Sequence, residues 1–312
     1  MDTPSPNLRP TLDDLTRKLM ASYKTIGGIN HVDGKCLPSR AAIAAVIQNI
    51  LRLLFPGFLG DHEMRSLELE VETNGLLRVV QGQLEREIRN SFEYAPPDDV
   101  ARDEIGKLAE RVTVAALANL PNVRALLQTD AEAAFAGDPA ALSTDEIILA
   151  YPFIEAIAVQ RFAHELYRRK VPLIPRMVTE WAHARTGLDI HPGAEIGSHF
   201  FVDHCTGTVI GETASIGSHV KMYQGVGLVA RSLSGGQALR GKKRHPTIGD
   251  RVTIYANATI VGGETVVGSG STIGASVFIM QSIPPDSLVV YEPSGIRMTS
   301  KIRSEATIDF QI

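Results

Sequence analysis

Five of the nine histidines fall between His191 and His245, and several stand beside charged residues: Asp189-Ile190-His191, Asp203-His204 and Arg244-His245. An imidazole whose tautomer is fixed by a carboxylate can deprotonate a hydroxyl near neutral pH, because the same carboxylate stabilises the imidazolium that forms. His204 and Asp189 are the candidate pair for that chemistry. Cys205, next to His204, raises the other possibility of a thiol nucleophile with a covalent acyl intermediate. Neighbours on a strand point to opposite faces, so Cys205 is not expected to share a site with His204.

What must position these side chains is a repeat. Ile190, Ile196, Val202, Thr208, Ala214, Val220 and Val226 recur every six residues, and the frame resumes at Ile248, Ile254 and Ile260, then after a slip of one at Val267, Ile273 and Ile279. A six-residue period matches neither a helix nor a plain strand; it predicts a β-helix whose short strands turn corners around a narrow prism. Gly197, Gly211 and Gly217 suit the corners. On a three-hexad coil of about eighteen residues, Asp189 lies fifteen residues before His204, which predicts neighbours on adjacent coils. The hexads stop between Val226 and Ile248, where Arg231 to His245, with the basic run Arg240, Lys242, Lys243 and Arg244, reads as a loop ejected from the prism.

The first half carries a different period. After Ser39, a plausible N-cap, Ile43, Val46, Ile47, Ile50, Leu51 and Leu54 follow helical spacing, as do Leu77, Val80, Leu84 and Ile88, then Ile105, Leu108 and Val112. Helices over about Phe153 to Arg169 and Pro175 to Thr186 lead to Gly187, a candidate left-handed helix end. The predicted fold class is α + β: residues 1–38 mostly flexible with a short amphipathic stretch from Leu12 to Met20, a helical domain at 39–187, a hexapeptide-repeat parallel β-helix at 188–290 with an ejected loop at 229–247, and a tail at 291–312.

The chain has 312 residues, 44% of them hydrophobic, which suffices for a substantial core. A net charge of −4 and a pI near 6.2 argue against nucleic acid or a membrane surface as partner. The sequence predicts neither a secretory leader nor a membrane span, and Cys36 and Cys205 are too few for a disulfide framework, so a cytoplasmic protein is expected.

From about Asp138 to Val290 the chain resembles the serine acetyltransferases. The resemblance is carried by Asp-Ile-His-Pro at 189–192, Asp-His-Cys-Thr-Gly at 203–207, Gly-Glu-Thr at 211–213, Arg-His-Pro at 244–246 and Ile-Pro-Pro at 283–285. It implies a left-handed β-helix and transfer of acetyl from acetyl-CoA to L-serine, the first step of cysteine biosynthesis, with no tightly bound cofactor and no metal. His204 is implied as general base, Asp189 as its orienting partner, Asp138 and Asp203 as the ammonium site, and Arg244 and His245 as the carboxylate site. Carboxylates accept from ammonium groups and Arg matches a carboxylate with a planar fork.

By the same resemblance the pantetheine arm runs past backbone amides from Gly225 through Gly227 to Ala230, although this stretch lacks the usual glycine pair of shorter bacterial members. The ejected loop, longer than theirs, brings Lys242 and Lys243 toward CoA phosphates. Homotrimers, or dimers of trimers, with active sites between neighbours are implied, as is capture of the C-terminal Ile312 by cysteine synthase. Two rival readings remain: a zinc hydratase resembling the γ-class carbonic anhydrases, using His199 and His204, and a non-catalytic trimeric scaffold.

Overall fold

The computed structural model describes residues 10–60, 63–232 and 234–291. Ile312 and the tail beyond Tyr291 lie outside the described residues. The chain divides into two units between Cys36 and Leu37. Within the first, where mostly flexible chain is expected, helix α1 spans Leu12–Thr25, further than the amphipathic stretch read from the sequence. A capping box fixes its start: the Asp14 amide donates to Thr11 Oγ1 and the Thr11 amide donates to the Asp14 carboxylate, each at 3.2 Å.

Among the described residues the second unit opens with seven α-helices: α2 Arg40–Leu54, α3 Leu69–Tyr94, α4 Ile105–Ala118, α5 Leu120–Gly137, α6 Thr144–Ala150, α7 Pro152–Arg168 and α8 Ile174–Thr186. Ser39 caps α2, accepting from the Ala42 amide at 3.3 Å. Pro121 marks the boundary between α4 and α5. It sits in the first turn of α5, where a missing N–H leaves no helical bond unmade. Helix α7 buries Phe153, Ile154, Ile157, Val159, Phe162 and Leu166 around most of its circumference, as a helix covered on several sides must. Gly187 ends α8 at φ +71°, a left-handed cap whose amide donates to the His183 carbonyl.

Among the described residues fourteen short strands follow: β1 Asp189–Ile190, β2 Glu195–Ile196, β3 Phe201–Val202, β4 Val209–Ile210, β5 Ser215–Ile216, β6 Lys221–Met222, β7 Gly227–Val229, β8 Thr247–Ile248, β9 Thr253–Ile254, β10 Thr259–Val261, β11 Val266–Val267, β12 Thr272–Ile273, β13 Phe278–Ile279 and β14 Leu288–Val289. All pair in parallel. Their three sheets run β1-β4-β7-β10-β13, β2-β5-β8-β11 and β3-β6-β9-β12-β14, so through β13 every third strand stacks and the chain winds as a three-sided prism. Sheet one leads to sheet two, two to three, and three back to one, through three lines of corners.

The register corrects the hexad frame. Ile190, Ile196 and Val202 close β1, β2 and β3, but the next equivalent residue is Ile210, eight positions after Val202, followed by Ile216, Met222 and Leu228. Thr208, Ala214, Val220 and Val226, which continue the six-residue count, occupy a second inward position two residues earlier in each turn, and all four are buried. Two inward positions lie two residues apart, so a two-residue insertion swaps one for the other without disturbing the count. The insertion falls in the corner Asp203–Gly207. Asp189 accordingly pairs with Val209, twenty residues on, not eighteen.

Helices and prism are joined by a buried ion pair. Arg161 on α7 donates from Nε and Nη2 to Asp130 on α5, at 2.7 and 2.9 Å. Its remaining donors reach the carbonyls of Ile196 and Gly197 at 3.1 and 2.8 Å, and Asp130 accepts from the Phe200 amide at 3.0 Å. Removing one partner of such a pair strands a buried charge. Arg161→Met is expected to lower unfolding free energy by about 3–5 kcal/mol; a loss below about 1 kcal/mol in chemical denaturation would contradict the clamp.

Candidate active site

His204 and Cys205 lie in the inserted corner between sheets three and one, not on a strand. Both have positive φ, +59° and +55°. Strand alternation is therefore not what separates them; the turn does. It leaves the His204 side chain 56% exposed and buries Cys205, whose thiol burial pushes up to about 12. A buried protonated thiol is a poor nucleophile. Asp203 stands beside His204, with Oδ1 3.6 Å from Nδ1.

Asp138 reaches this corner from the end of α5. Its carboxylate accepts from the Tyr151 hydroxyl at 2.5 Å and from the Ala140 amide at 2.8 Å. These two bonds, the hydroxyl first, hold its carboxyl below the ordinary carboxylate range, while the same bond drives Tyr151 up to about 12. Asp203 shifts the other way: burial raises it, His204 and Lys221 oppose that, and the Asp138 charge adds to it. Asp138, Asp203 and His204 thus share one electrostatic neighbourhood. Asp189 begins the strand that this corner's chain lies against, since Gly207 donates to the Gly187 carbonyl at 2.9 Å. Its Oδ1 is 3.8 Å from Arg176 Nη2.

Arg244 and His245 sit at the next line of corners, between sheets one and two. Arg244 Nη2 donates to Glu212, which also accepts from the Tyr167 hydroxyl at 2.7 Å. Burial works against the Glu212 carboxylate, but those two hydrogen bonds outweigh it and hold the group low; Tyr167 is pushed to about 12 by burial and then by Glu212. Arg244 Nη1 is buried with no hydrogen-bond partner among the described residues. The Thr213 amide donates to His245 Nδ1 at 3.1 Å and the Gly193 amide to His191 Nδ1 at 3.0 Å, so each ring is neutral with its proton on Nε2. The His245 ring also explains Gly211: a Cβ there would stand 2.0 Å from His245 Cδ2.

The residues expected to meet CoA fare differently. The Gly225 and Gly227 amides are committed to the Thr206 and Ala258 carbonyls at 3.0 and 2.9 Å, so neither is free to meet a thioester. Gly225 is glycine for an internal reason: at φ +72° an added Cβ would stand 2.1 Å from Asn257 Oδ1. Ala230 stands at the root of the loop that leaves after β7. Lys243 Nζ is bonded to the Thr213 carbonyl at 2.6 Å, and burial lowers its pKa; Lys242 is exposed.

His199, half of the proposed zinc pair, lies on the third line of corners. Its ring stacks on His219 at 4.0 Å, away from the His204 corner. Among the described residues, Glu180, His183 and Asp189 hold potential metal ligands within 4.8 Å of one another, but Arg176 pairs with both carboxylates and supplies the positive charge there.

Sequence reasoning missed Tyr151, Tyr167 and Lys221 and gave Glu212 no role. Glu212 was within reach, being part of the Gly-Glu-Thr motif. The tyrosines lie on or beside α7, far along the chain from what they bind, and carry no local signal.

A prism of parallel strands with a histidine corner flanked by two carboxylates defines a hexapeptide-repeat transferase architecture. No protein-family model matches the chain. It is 40% identical over 234 residues to the plasmid-encoded serine acetyltransferase of Synechococcus elongatus, covering 71% of this chain and 72% of that one. It is 43% identical over 170 residues to the serine acetyltransferase of Mycobacterium tuberculosis, covering 54% and 71%. Among solved structures it is similar to serine acetyltransferase isoform 3 of Entamoeba histolytica in complex with cysteine, with a TM-score of 0.70, 34% identity and coverage of 92% and 94%. It is also similar to soybean serine acetyltransferase complexed with serine, with a TM-score of 0.52, 26% identity and coverage of 82% and 98%. The chain belongs to the serine acetyltransferase family, and is thus an acyltransferase on a left-handed parallel β-helix. Among the described residues no helix is long and apolar enough to cross a membrane.

His191 and His245 are each held down to about 4, by burial first and then by nearby cations, Arg176 and Arg244 for His191, Arg244 for His245. The unfolded chain, where histidine titrates near about 6.5, takes up protons before the folded one does. The stability these neutral rings contribute is complete above about pH 6.5 and is lost as pH falls toward about 4, by about 1–2 kcal/mol per ring after solvent screening. Urea midpoints should therefore drop between pH 7 and 5; a flat profile would show that the rings protonate equally in both states.

Proposed function

We propose that the protein transfers the acetyl group of acetyl-CoA directly to the hydroxyl of L-serine, with His204 as general base. The observation that carries this reading is the convergence of Asp138, from the helices, with Asp203 and His204, from the prism, at one corner. Two carboxylates there suit a substrate ammonium, and a hydroxyl next to that ammonium would face an exposed imidazole. The relatives' names, and the cysteine and serine bound in the Entamoeba and soybean structures, support a small amino acid as ligand.

As the serine oxygen bonds to the thioester carbon, His204 takes the hydroxyl proton; as the tetrahedral intermediate collapses and the carbon–sulfur bond breaks, the imidazolium returns that proton to the CoA thiolate. Asp189 would orient the ring once His204 turns from Asp203. Acetyl-CoA is a co-substrate, with no tightly bound cofactor in the reaction. Ala230 and Lys242 remain the candidates to meet it, Ala230 at the loop root and Lys242 as a point charge for phosphate.

Arg244 and His245 offer a substrate carboxylate a spare guanidinium donor and a neutral Nε2–H. They stand across sheet one from His204, so we assign them to the site of the adjacent subunit in a homotrimer, or in a dimer of trimers. The C-terminal Ile312 is proposed to enter cysteine synthase, and its removal should weaken binding in a titration; unchanged affinity would rule the contact out. Two cysteines in the chain, Cys36 and Cys205, are too few for a disulfide framework, which suits a cytoplasmic location.

His204→Ala should lower kcat by about 10²–10⁴-fold with assembly unchanged, read as CoA-thiol release with serine, homoserine and no acceptor. Unchanged turnover would remove His204 as the base. For the shared site, Asp138→Asn and Arg244→Gln subunits, each with a raised serine KM, should recover activity when refolded together; no recovery in confirmed mixed trimers would place all six groups within one subunit.

A further inference from the structure

Lys221 opens β6, directly beneath Phe201 of β3 in the ladder. Its side chain crosses to the helical part of the molecule, where Nζ donates to the Gly137 carbonyl at 2.5 Å, immediately before Asp138. The ammonium lies 4.6 Å from the Tyr223 ring centroid and 5.5 Å from that of Phe201, the faces a cation prefers. Gly137 is pressed onto the same wall, since a Cβ there would stand 2.9 Å from the Phe201 ring. Tyr255 stacks under Tyr223 at 5.2 Å and stiffens that wall.

The charged and titratable groups around this ammonium are Asp138 after α5, Asp203 and His204 after β3, Tyr151 at the start of α7 with Glu146 of α6 behind it, and Tyr223. Two carboxylates sharing a site with no cation cannot both stay ionised cheaply. With Lys221 beside them the local charge is −2 + 1 = −1, matched by one substrate ammonium.

We propose that Lys221 is a positioning residue for the amino-acid substrate: it ties the Asp138 turn to the His204 corner and offsets one of the two carboxylate charges gathered there. The inference rests on reading Asp138 and Asp203 as the ammonium site. Lys221 performs no proton transfer. It acts through where Asp138 stands and through the ionisation of Asp203.

The test compares Lys221→Met, Lys221→Gln and Lys221→Arg in the full chain, with serine KM, acetyl-CoA KM and kcat/KM followed from pH 5.5 to 9. Lys221→Met should raise serine KM by about tenfold or more, leave acetyl-CoA KM within about twofold, and move the acid limb of kcat/KM to higher pH as a carboxyl loses its cation. Lys221→Gln, which keeps a donor but no charge, should show the same limb shift with a smaller rise in KM, and carries the test if Lys221→Met does not fold. Lys221→Arg, keeping charge and donor, should restore both readouts. Serine KM and acid limb unmoved in the Met and Gln variants would overturn the proposal, as would an Arg variant no better than Met. Asp138→Asn separates the levels: a raised serine KM there with unmoved Lys221 variants overturns the Lys221 role alone, whereas an unchanged KM removes the substrate site and the proposal with it.

Discussion

The bidentate bond between Arg161 and Asp130 is the contact on which the arrangement of this molecule depends. Both side chains are almost fully buried, and between them they engage the Ile196 and Gly197 carbonyls and the Phe200 amide. Two helices are thereby fixed to the first coil of the prism by charge-assisted hydrogen bonds in a place from which water is excluded, where a displaced partner is costly. Helix α5 ends seven residues beyond Asp130, at Gly137, so the clamp also decides where Asp138 arrives.

Corners and faces divide the work. The flat faces are ladders of two-residue strands whose inward side chains leave no freedom for chemistry, while the corners, free of ladder pairing, can be lengthened or charged. The insertion at Asp203–Gly207 and the long excursion between Val229 and Thr247 are the two places where the winding departs most from a plain repeat, and they carry His204 and the Arg244-His245 pair respectively. Histidine plays opposite parts at the two. At the first corner the ring is exposed beside a carboxylate; at the second, backbone amides occupy Nδ1 and burial keeps the rings neutral.

Helical periodicity with Ser39 and Gly187 as ends, the hexads, the interruption before Ile248 and the histidine clusters were all legible in the amino-acid order, because each is a short-range pattern tied to a local conformation. Other features were hidden for definite reasons. The corner insertion was masked because the prism has two inward positions two residues apart. What Gly225 lies against was hidden because a glycine looks the same whether a ligand or Asn257 is its neighbour. The bond of Lys243 to the Thr213 carbonyl was hidden because it closes a loop thirty residues long.

Sequence alone therefore determined the two architectures, the set of ionisable groups at the bends, and the family those motifs resemble. Only the tertiary structure decided which of these groups meet: Asp138 with Tyr151, Asp203 and Lys221, Arg244 with Glu212, and His204 beside Asp203 with Asp189 held toward Arg176. The physical reason is range. Period and capping act over a few residues, whereas the electrostatics of a site depend on contacts between segments that only the docking of helices onto prism, through Arg161 and Asp130, brings within a few ångströms.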